Sequence, residues 1–325
     1  MPSCLLPDNE GMKELVKKLL IDDDNSSRRR NNTTNTNTNK SNTNTNTNTN
    51  TLLLPLPILN MGMPKTGSTS LYEYFNCIGI KTTHWNINNI NEYEGICMRN
   101  AAHQLSSPLE TCAPKIDALM QMDIASPLGT AFIKSPIPTY KEKDECFFPQ
   151  LSLLNEIHNE KPSSTFIINF RPINDWIKSV SGWGDMLYRF SQCNLPNLPY
   201  NVPSHILVNQ MTNTTTNNND NNNNTAATAA AAKVIVNQIM IQFFCSHVIH
   251  LRNFVNQYPS HTLIELDLYD TDQTSYVLNT LFPQQQQQQQ RQQQTKRKRK
   301  VCWEQANKSS EVRQARAKTN QIPKQ

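Results

Sequence analysis

The sequence predicts an α/β fold of three layers, in which a central parallel sheet carries helices on both faces. Two observations support this prediction. Apolar runs alternate along the chain with segments whose apolar residues recur every three or four positions, and this is the pattern of strands that alternate with helices. The apolar runs are also continuous, as expected for strands buried on both faces of a parallel sheet.

These patterns place the individual elements. Strands are predicted at 56–63, 78–85, 130–134, 164–170 and 262–268. Helices are predicted at 9–20, 68–76, 101–122, 149–159, 174–190, 234–258 and 274–282. Ligands of such sheets bind at the carboxyl ends of the strands, so a site is expected in the loops that follow the strands.

Three polar tracts interrupt the fold and are predicted to be disordered, because they bury too little apolar surface to offset the entropy of ordering them. One is rich in Asn and Thr at 22–51, the second lies at about 212–232, and the third is Gln-rich at about 284–300. The predicted organisation is a helix at 1–21, the first tract, and one domain at 52–325 that contains the other two tracts.

The net charge of +5 does not indicate a general nucleic-acid surface. The K-R-K-R-K run at 296–300 contributes five positive charges, so the rest of the chain sums to zero. We therefore expect no specific nucleic-acid partner. The run itself is either a nuclear import signal or a solvated basic flank of the Gln tract, and we favour the second interpretation.

The chain has eight cysteines and no C-x-x-C pair, so a zinc site is not expected. We expect free buried thiols, with a Cys97–Cys112 disulfide as the alternative in an oxidising compartment. No apolar run approaches the length of a membrane span, and the N-terminus lacks the apolar core of a signal peptide. A soluble cytoplasmic protein without a transmembrane segment is the expectation, and the Golgi lumen is the alternative if an N-terminal anchor precedes this sequence.

Residues 63–70 read M-P-K-T-G-S-T-S and lie between a predicted strand and a predicted helix. A helix N-terminus carries unpaired N–H groups and partial positive charge, so the N–H groups at 66–69 are expected to surround an anion. Lys65 adds a full charge, and Gly67 lets the backbone approach closely. The candidate anion-binding residues are Lys65, Thr66, Gly67, Ser68, Thr69 and Ser70.

This loop is not the Walker A motif of ATPases, in which the lysine directly follows the glycine. Here Lys65 stands two residues before Gly67, and no convincing Walker B strand ends in an Asp that would hold Mg²⁺. No metal is therefore expected.

A second anion-binding pair is predicted after the strand at 164–170. Arg171 directly follows this strand, and Ser179 lies eight residues later in the next helix. A guanidinium and a hydroxyl placed two helical turns apart can converge on one phosphate.

The two motifs together resemble the PAPS-dependent sulfotransferase superfamily, in which 3′-phosphoadenosine-5′-phosphosulfate (PAPS) is the sulfate donor. P-K-T-G-S-T-S resembles the 5′-phosphosulfate loop of that family, and F-I-I-N-F-R-P-I-N-D-W-I-K-S resembles its 3′-phosphate segment. The resemblance covers about 56–190 well and continues more weakly to 303, closer to the Golgi-type and bacterial-like branches. It implies a P-loop-like fold and transfer of a sulfuryl group to an acceptor hydroxyl or amine, with release of adenosine 3′,5′-bisphosphate (PAP).

The resemblance also implies residue roles. The loop residues 65–70 would hold the 5′-phosphosulfate, and Arg171 and Ser179 the 3′-phosphate. Lys65 would stabilise the leaving oxygen without a metal. His84 follows the second predicted strand and is the candidate general base.

The expected base of the cytosolic branch is absent, because Pro136 stands where that branch has its His. Glu73 and Glu145 are alternative bases, and Lys134 is a candidate for the acceptor side. Lys308, in a C-terminal segment at 302–309, is a candidate phosphate contact. For Trp176 and Trp183 we favour core packing over ligand contact.

Two other functions fit the same motifs. A nucleotide or small-molecule kinase would use the loop with ATP and Mg²⁺. A catalytically inactive scaffold of the same fold would recruit partners through its Asn and Gln tracts. The acceptor is a small molecule or a carbohydrate, and carbohydrate is favoured by family analogy alone.

Overall fold

The computed structural model describes residues 3–19, 54–87, 92–127, 144–183, 186–187, 190, 223–282 and 302–303. Its strands are β1 Ile58–Asn60, β2 Thr82–Thr83, β3 Asn86–Ile87, β4 Glu92–Tyr93, β5 Ala118–Leu119, β6 Ile124–Pro127, β7 Asp144–Phe147, β8 Thr165–Phe170 and β9 Thr262–Asp267. Five of them form one parallel sheet in the order β2-β5-β1-β8-β9. The pairs β3–β4 and β6–β7 are antiparallel hairpins outside it.

Helices cover both faces of this sheet, as the sequence predicts. They are α1 at 9–19, α2 Ser68–Cys77, α3 Glu94–His103, α4 Pro108–Cys112, α5 Pro149–Ser152, α6 Leu154–Glu160, α7 Ile173–Ser181, α8 Asn223–Gln257 and α9 Thr271–Leu281. Neighbouring strand residues point into opposite cores: Leu59 packs on one face with α3, α7 and α8, and Ile58 on the other with α1, α2 and α9. The three-layer α/β prediction is therefore confirmed.

The prediction of a helix at 101–122 is wrong. This segment contains the end of α3, the short helix α4 and the strand β5, which pairs with both β1 and β2. Pro108 and Pro114 explain the break, because proline lacks an N–H donor and disfavours helical backbone in the residue before it. The strand predicted at 130–134 lies outside the described residues.

The long helix α8 begins earlier than predicted. Its backbone is helical from Asn223, so the end of the tract predicted to be disordered at 212–232 belongs to a helix that runs through six alanines, the strongest helix formers. The rest of that tract, and the tracts at 22–51 and 284–300, lie outside the described residues.

Within α8, Val234–Gln257 is long and apolar enough to span a membrane by length and composition. One side of this stretch is buried against the sheet, with Phe243, Val248 and Leu251 fully inside the core. The helix therefore serves the fold as a core helix.

The expectation of free thiols is wrong for six of the cysteines. Disulfides join Cys4 to Cys245, Cys77 to Cys302, and Cys97 to Cys112. The first ties the N-terminal segment to α8, and the second ties the end of α2 to the C-terminal segment. Spacing along the chain predicts only the third, because the partners of the other two are more than 200 residues apart.

Candidate functional site

The loop at 63–70 connects β1 to α2 at the carboxyl end of the central strand, where the sequence places it. Gly67 is the residue before α2 and has a φ of 111°, a left-handed conformation that glycine adopts without steric cost. A Cβ at this position would lie 2.1 Å from Cδ1 of Leu268, which follows β9. The left-handed backbone therefore favours glycine at this position, and a larger residue would also have to displace the Leu268 side chain.

Buried hydrogen bonds to the carbonyl groups of the loop hold it in place. The Thr66 hydroxyl donates to the Met63 carbonyl at 2.6 Å, and the Thr66 N–H donates to the same oxygen at 3.3 Å. Contrary to expectation, both donors of Thr66 therefore serve the loop itself. The indole of Trp176 donates to the Pro64 carbonyl at 2.7 Å, and the amide of Asn169 donates to the Thr66 carbonyl at 3.2 Å.

Two cations meet at the loop. The Arg171 guanidinium donates to the Lys65 carbonyl at 3.1 Å, which brings the two predicted anion-binding residues together. Burial, and secondarily the charge of Arg171, lower the pKa of Lys65 to about 8. Within the described part of the chain, no carboxylate forms an ion pair with either cation.

The Nε of Arg171 is buried and has no hydrogen-bond partner among the described residues. A buried charged donor that stays unpaired is destabilising, and its retention requires an explanation. An anion at this position would accept from Nε and neutralise the two neighbouring cations.

His84 contacts the loop directly. Its Nε2 lies 3.1 Å from the hydroxyl of Ser68, the first residue of α2, and this hydroxyl also lies 3.3 Å from Oε1 of Gln121. The Ser68 hydroxyl has one proton, so Nε2 of His84 donates to Ser68 when that proton goes to Gln121, and accepts the proton in the other tautomer. The predicted base thus lies at the N-terminal end of α2 beside the candidate anion site.

For the other predicted site residues, the structure gives mainly the element on which each one lies. Thr69 and Ser70 lie in the first turn of α2, and Ser179 is half-buried on α7 without a described hydrogen bond to Arg171 or to the loop. Glu73 lies farther along α2, and Glu145 lies in β7, where only its backbone is described. Lys134, Pro136 and Lys308 lie outside the described residues.

A family model described as a sulfotransferase domain matches residues 57–270, which include the loop, His84 and Arg171. The chain belongs to the sulfotransferase family. No curated protein and no solved structure matches it.

Two aromatic side chains border the cations of this sulfotransferase. Nζ of Lys65 lies 3.4 Å from the ring centre of Trp183, which is 45% exposed, so the expectation of core packing is wrong for Trp183. It is confirmed for Trp176, which is fully buried. The Arg171 guanidinium lies 5.9 Å from the ring of Tyr269, which is also exposed.

Sequence reasoning missed several residues of the site. Asn169 is fully buried beside the loop, and its Oδ1 has no hydrogen-bond partner among the described residues. One signal was available, because Asn169 is a polar residue in the apolar run F-I-I-N-F. Gln121 carries no comparable signal, since it lies among residues that the sequence assigned to a helix.

Proposed function

We propose that this chain transfers the sulfuryl group of PAPS to an acceptor hydroxyl or amine and releases PAP. The observation that carries the proposal is the pair Lys65 and Arg171, two neighbouring cations without a described counter-ion at the start of α2. An anionic ligand with more than one acidic group suits such a pair better than a single carboxylate would.

In this reaction the bond between sulfur and the bridging oxygen of the donor breaks, and a bond between sulfur and the acceptor oxygen or nitrogen forms. Lys65 holds the bridging oxygen and stabilises its developing negative charge. Arg171, with Ser179, holds the 3′-phosphate. His84 takes the proton of the acceptor group, since it lies beside the loop next to Ser68.

The surroundings of His84 support a carbohydrate acceptor. Trp85 is 41% exposed, and its ring centre lies 4.8 Å from that of Tyr93. Gln121 and Asp123 follow on the neighbouring segment. An exposed aromatic face beside polar side chains suits a ring with one apolar face and several hydroxyls.

We also propose that the protein matures in an oxidising compartment such as the Golgi lumen. Structural disulfides persist in such compartments and are rare in the cytosol of mesophiles. Three disulfides among the described residues favour this alternative over the cytoplasmic expectation.

Thermal unfolding with added nucleotides tests the donor. PAP should raise the unfolding midpoint without Mg²⁺, because a ligand that binds only the folded state stabilises it by mass action. ATP should shift the midpoint less, with or without Mg²⁺. A shift with Mg-ATP and none with PAP would instead support a kinase, and no shift with either nucleotide would support an inactive scaffold.

Variants of the two cations, compared with a control lysine variant, test their roles in donor binding and in transfer. Lys65→Ala and Arg171→Ala should both abolish transfer of label from PAPS, and Arg171→Ala should do so mainly by weakening donor binding. Lys161→Ala is the control, because Lys161 is a partly exposed lysine that pairs with Glu110 at 3.5 Å.

A further inference from the structure

One hydroxyl in the turn that carries His84 has too few protons for its contacts. Oγ1 of Thr83, in β2, lies 2.9 Å from the backbone carbonyl oxygen of Asn86 and 2.5 Å from Oε1 of Glu94. A threonine hydroxyl has a single proton to donate. If Glu94 were ionised, one of the two contacts would bring together two acceptors without a proton between them.

A protonated Glu94 removes the conflict. Its carboxyl group then donates to Oγ1 of Thr83, and the Thr83 hydroxyl donates to the Asn86 carbonyl. Both distances lie in the range of O–H···O bonds, and the 2.5 Å contact is at the short end of that range.

The surroundings of Glu94 also favour the neutral form. The residue is fully buried, and its Oε2 has no hydrogen-bond partner among the described residues. Burial and the nearby carboxylate of Asp123 outweigh the Thr83 hydrogen bond and raise the pKa of Glu94 to about 8. Arg99 is buried on the same helix, and β7, which packs against α3, carries Asp144 and Glu145, whose side chains are not described.

The backbone of the same residue also holds the turn that presents His84. The backbone N–H of Glu94 donates to the Trp85 carbonyl at 3.1 Å, and the Trp85 N–H donates to the Gln121 carbonyl at 3.1 Å. Trp85 has a φ of 68°, which is an unfavourable backbone conformation for a bulky residue. Such conformations persist where their surroundings hold them in place, and they cluster at functional sites.

We propose that Glu94 is a neutral carboxylic acid that positions His84 against Ser68 by closing the turn 83–86. Glu94 is thus a positioning residue, and its catalytic consequence rests on the proposed sulfuryl transfer. Ionisation of Glu94 breaks the Glu94–Thr83–Asn86 chain, because the carboxylate then competes with Asn86 for the one Thr83 proton. The turn loosens, and His84 loses its fixed place beside the loop.

Infrared difference spectroscopy of the full chain tests the protonation state without any activity. The wild-type protein at pH 7 should show a C=O stretch of a protonated carboxyl group, and this band should vanish in Glu94→Gln and in wild type above about pH 9, since the pKa lies near 8. Glu156→Gln, at an exposed position on α6, should keep the band. Identical spectra of wild type and Glu94→Gln at pH 7 would overturn the proposal.

The pH dependence of kcat tests the positioning role, at saturating PAPS and acceptor. Glu94→Gln should keep the wild-type kcat at pH 7, because its amide donates to Thr83. Its kcat should decline less steeply than that of wild type above about pH 8, where Lys65 loses its proton in both proteins. Glu94→Leu should lower kcat about 10- to 100-fold at every pH, as misplaced catalytic groups do, with an unchanged midpoint shift by PAP. Equal losses in both variants would overturn the positioning role. If PAP shifts no midpoint even in wild type, the proposed function fails and the infrared result still decides the state of Glu94.

Discussion

At the scale of single residues, the site depends on backbone conformations that few side chains tolerate. Lys65 and Gly67, two residues apart in the loop, both have left-handed φ angles, of 69° and 111°. A non-glycine residue in this conformation is disfavoured by about 1–2 kcal/mol, so its presence at Lys65 indicates that the surrounding bonds hold the loop in shape. The backbone at Lys65 thereby fixes the position from which its charged side chain extends.

Replacement of Gly67 tests whether the geometry of the loop is needed for PAP binding in addition to stability. Gly67→Ala places a Cβ against Leu268 and strains the backbone, so we expect a loss of a few kcal/mol in the free energy of unfolding and no midpoint shift with PAP. The control is Gly79→Ala, which also alters a glycine of positive φ, at 86°, but at the far end of α2. Gly79→Ala should lower stability and keep the PAP shift. Retained PAP binding in Gly67→Ala would contradict the assigned loop.

Site residues that belong to a sequence motif could be predicted from the sequence. Residues whose role comes only from a tertiary contact could not. Lys65 and Arg171 follow strands in recognisable patterns, and the Arg171 guanidinium contacts the Lys65 carbonyl. Glu94 belongs to no pattern, and its importance comes from a hydroxyl on another strand. Trp183 was misjudged because its contact with Lys65 depends on how α7 ends.

At the scale of elements, β8 and β9 form the longest strand pair of the sheet, and a histidine pair flanks their amino ends. Nδ1 of His158, on α6, lies 2.9 Å from Nε2 of His261, and Nδ1 of His261 accepts from the Ser164 N–H at 3.2 Å. His261 therefore donates from Nε2 to His158, and both imidazoles are neutral. A proton added to either ring would break one of these bonds.

This pair predicts a loss of stability in mild acid. Burial, and secondarily repulsion from a proton on His158, lower the pKa of His261, so the unfolded chain binds more protons as the pH falls through the ordinary histidine pKa of about 6.5. The free energy of unfolding in urea should therefore decrease from pH 7.5 to 5.5 in a Glu94→Gln background, which removes the opposite contribution of Glu94, whose pKa is raised to about 8. His158→Gln should make this slope shallower, and His103→Gln, at the exposed end of α3, should leave it unchanged. In that background, equal slopes with and without His158→Gln would contradict the tautomers assigned here.

Element prediction succeeded where apolar runs were long. The run at 164–170 became β8, and the run at 262–268 became β9, each with six residues. It failed at β5, because two residues, Ala118 and Leu119, are too few to show a strand pattern. Their place in the sheet comes from pairing with β1 and β2, which is a tertiary effect that no local window contains.

At the scale of the whole molecule, disulfides fasten both ends of the chain to the domain. Cys4 is bonded to α8, and Cys302 to the end of α2, where Trp303 packs fully buried against Tyr74. Bonds that close such long loops remove much conformational freedom from the unfolded chain, and each is typically worth about 2–4 kcal/mol. Sequence reasoning found none of this, because pairing over such separations depends on the finished fold.

Thiol counting checks the cross-links. The three disulfides leave two of the eight cysteines, Cys146 and Cys193, so the unreduced protein in denaturant should expose at most two reactive thiols. The double variant Cys77→Ser/Cys302→Ser should lower the unfolding midpoint. Cys193→Ser is the control and should not lower it. Eight reactive thiols in protein secreted into an oxidising medium would contradict the cross-links and the proposed compartment.

We propose that this sulfotransferase recognises the 3′-phosphate of its donor through Arg171. Calorimetric titration with PAP and with adenosine 5′-monophosphate measures this directly, because the two ligands differ only in that phosphate. Wild type should bind PAP about 10- to 100-fold more tightly, as one charge-assisted contact allows, and Arg171→Ala should bind both with similar affinity. Equal affinities in wild type, or a preference for PAP that survives in Arg171→Ala, would contradict this role of Arg171.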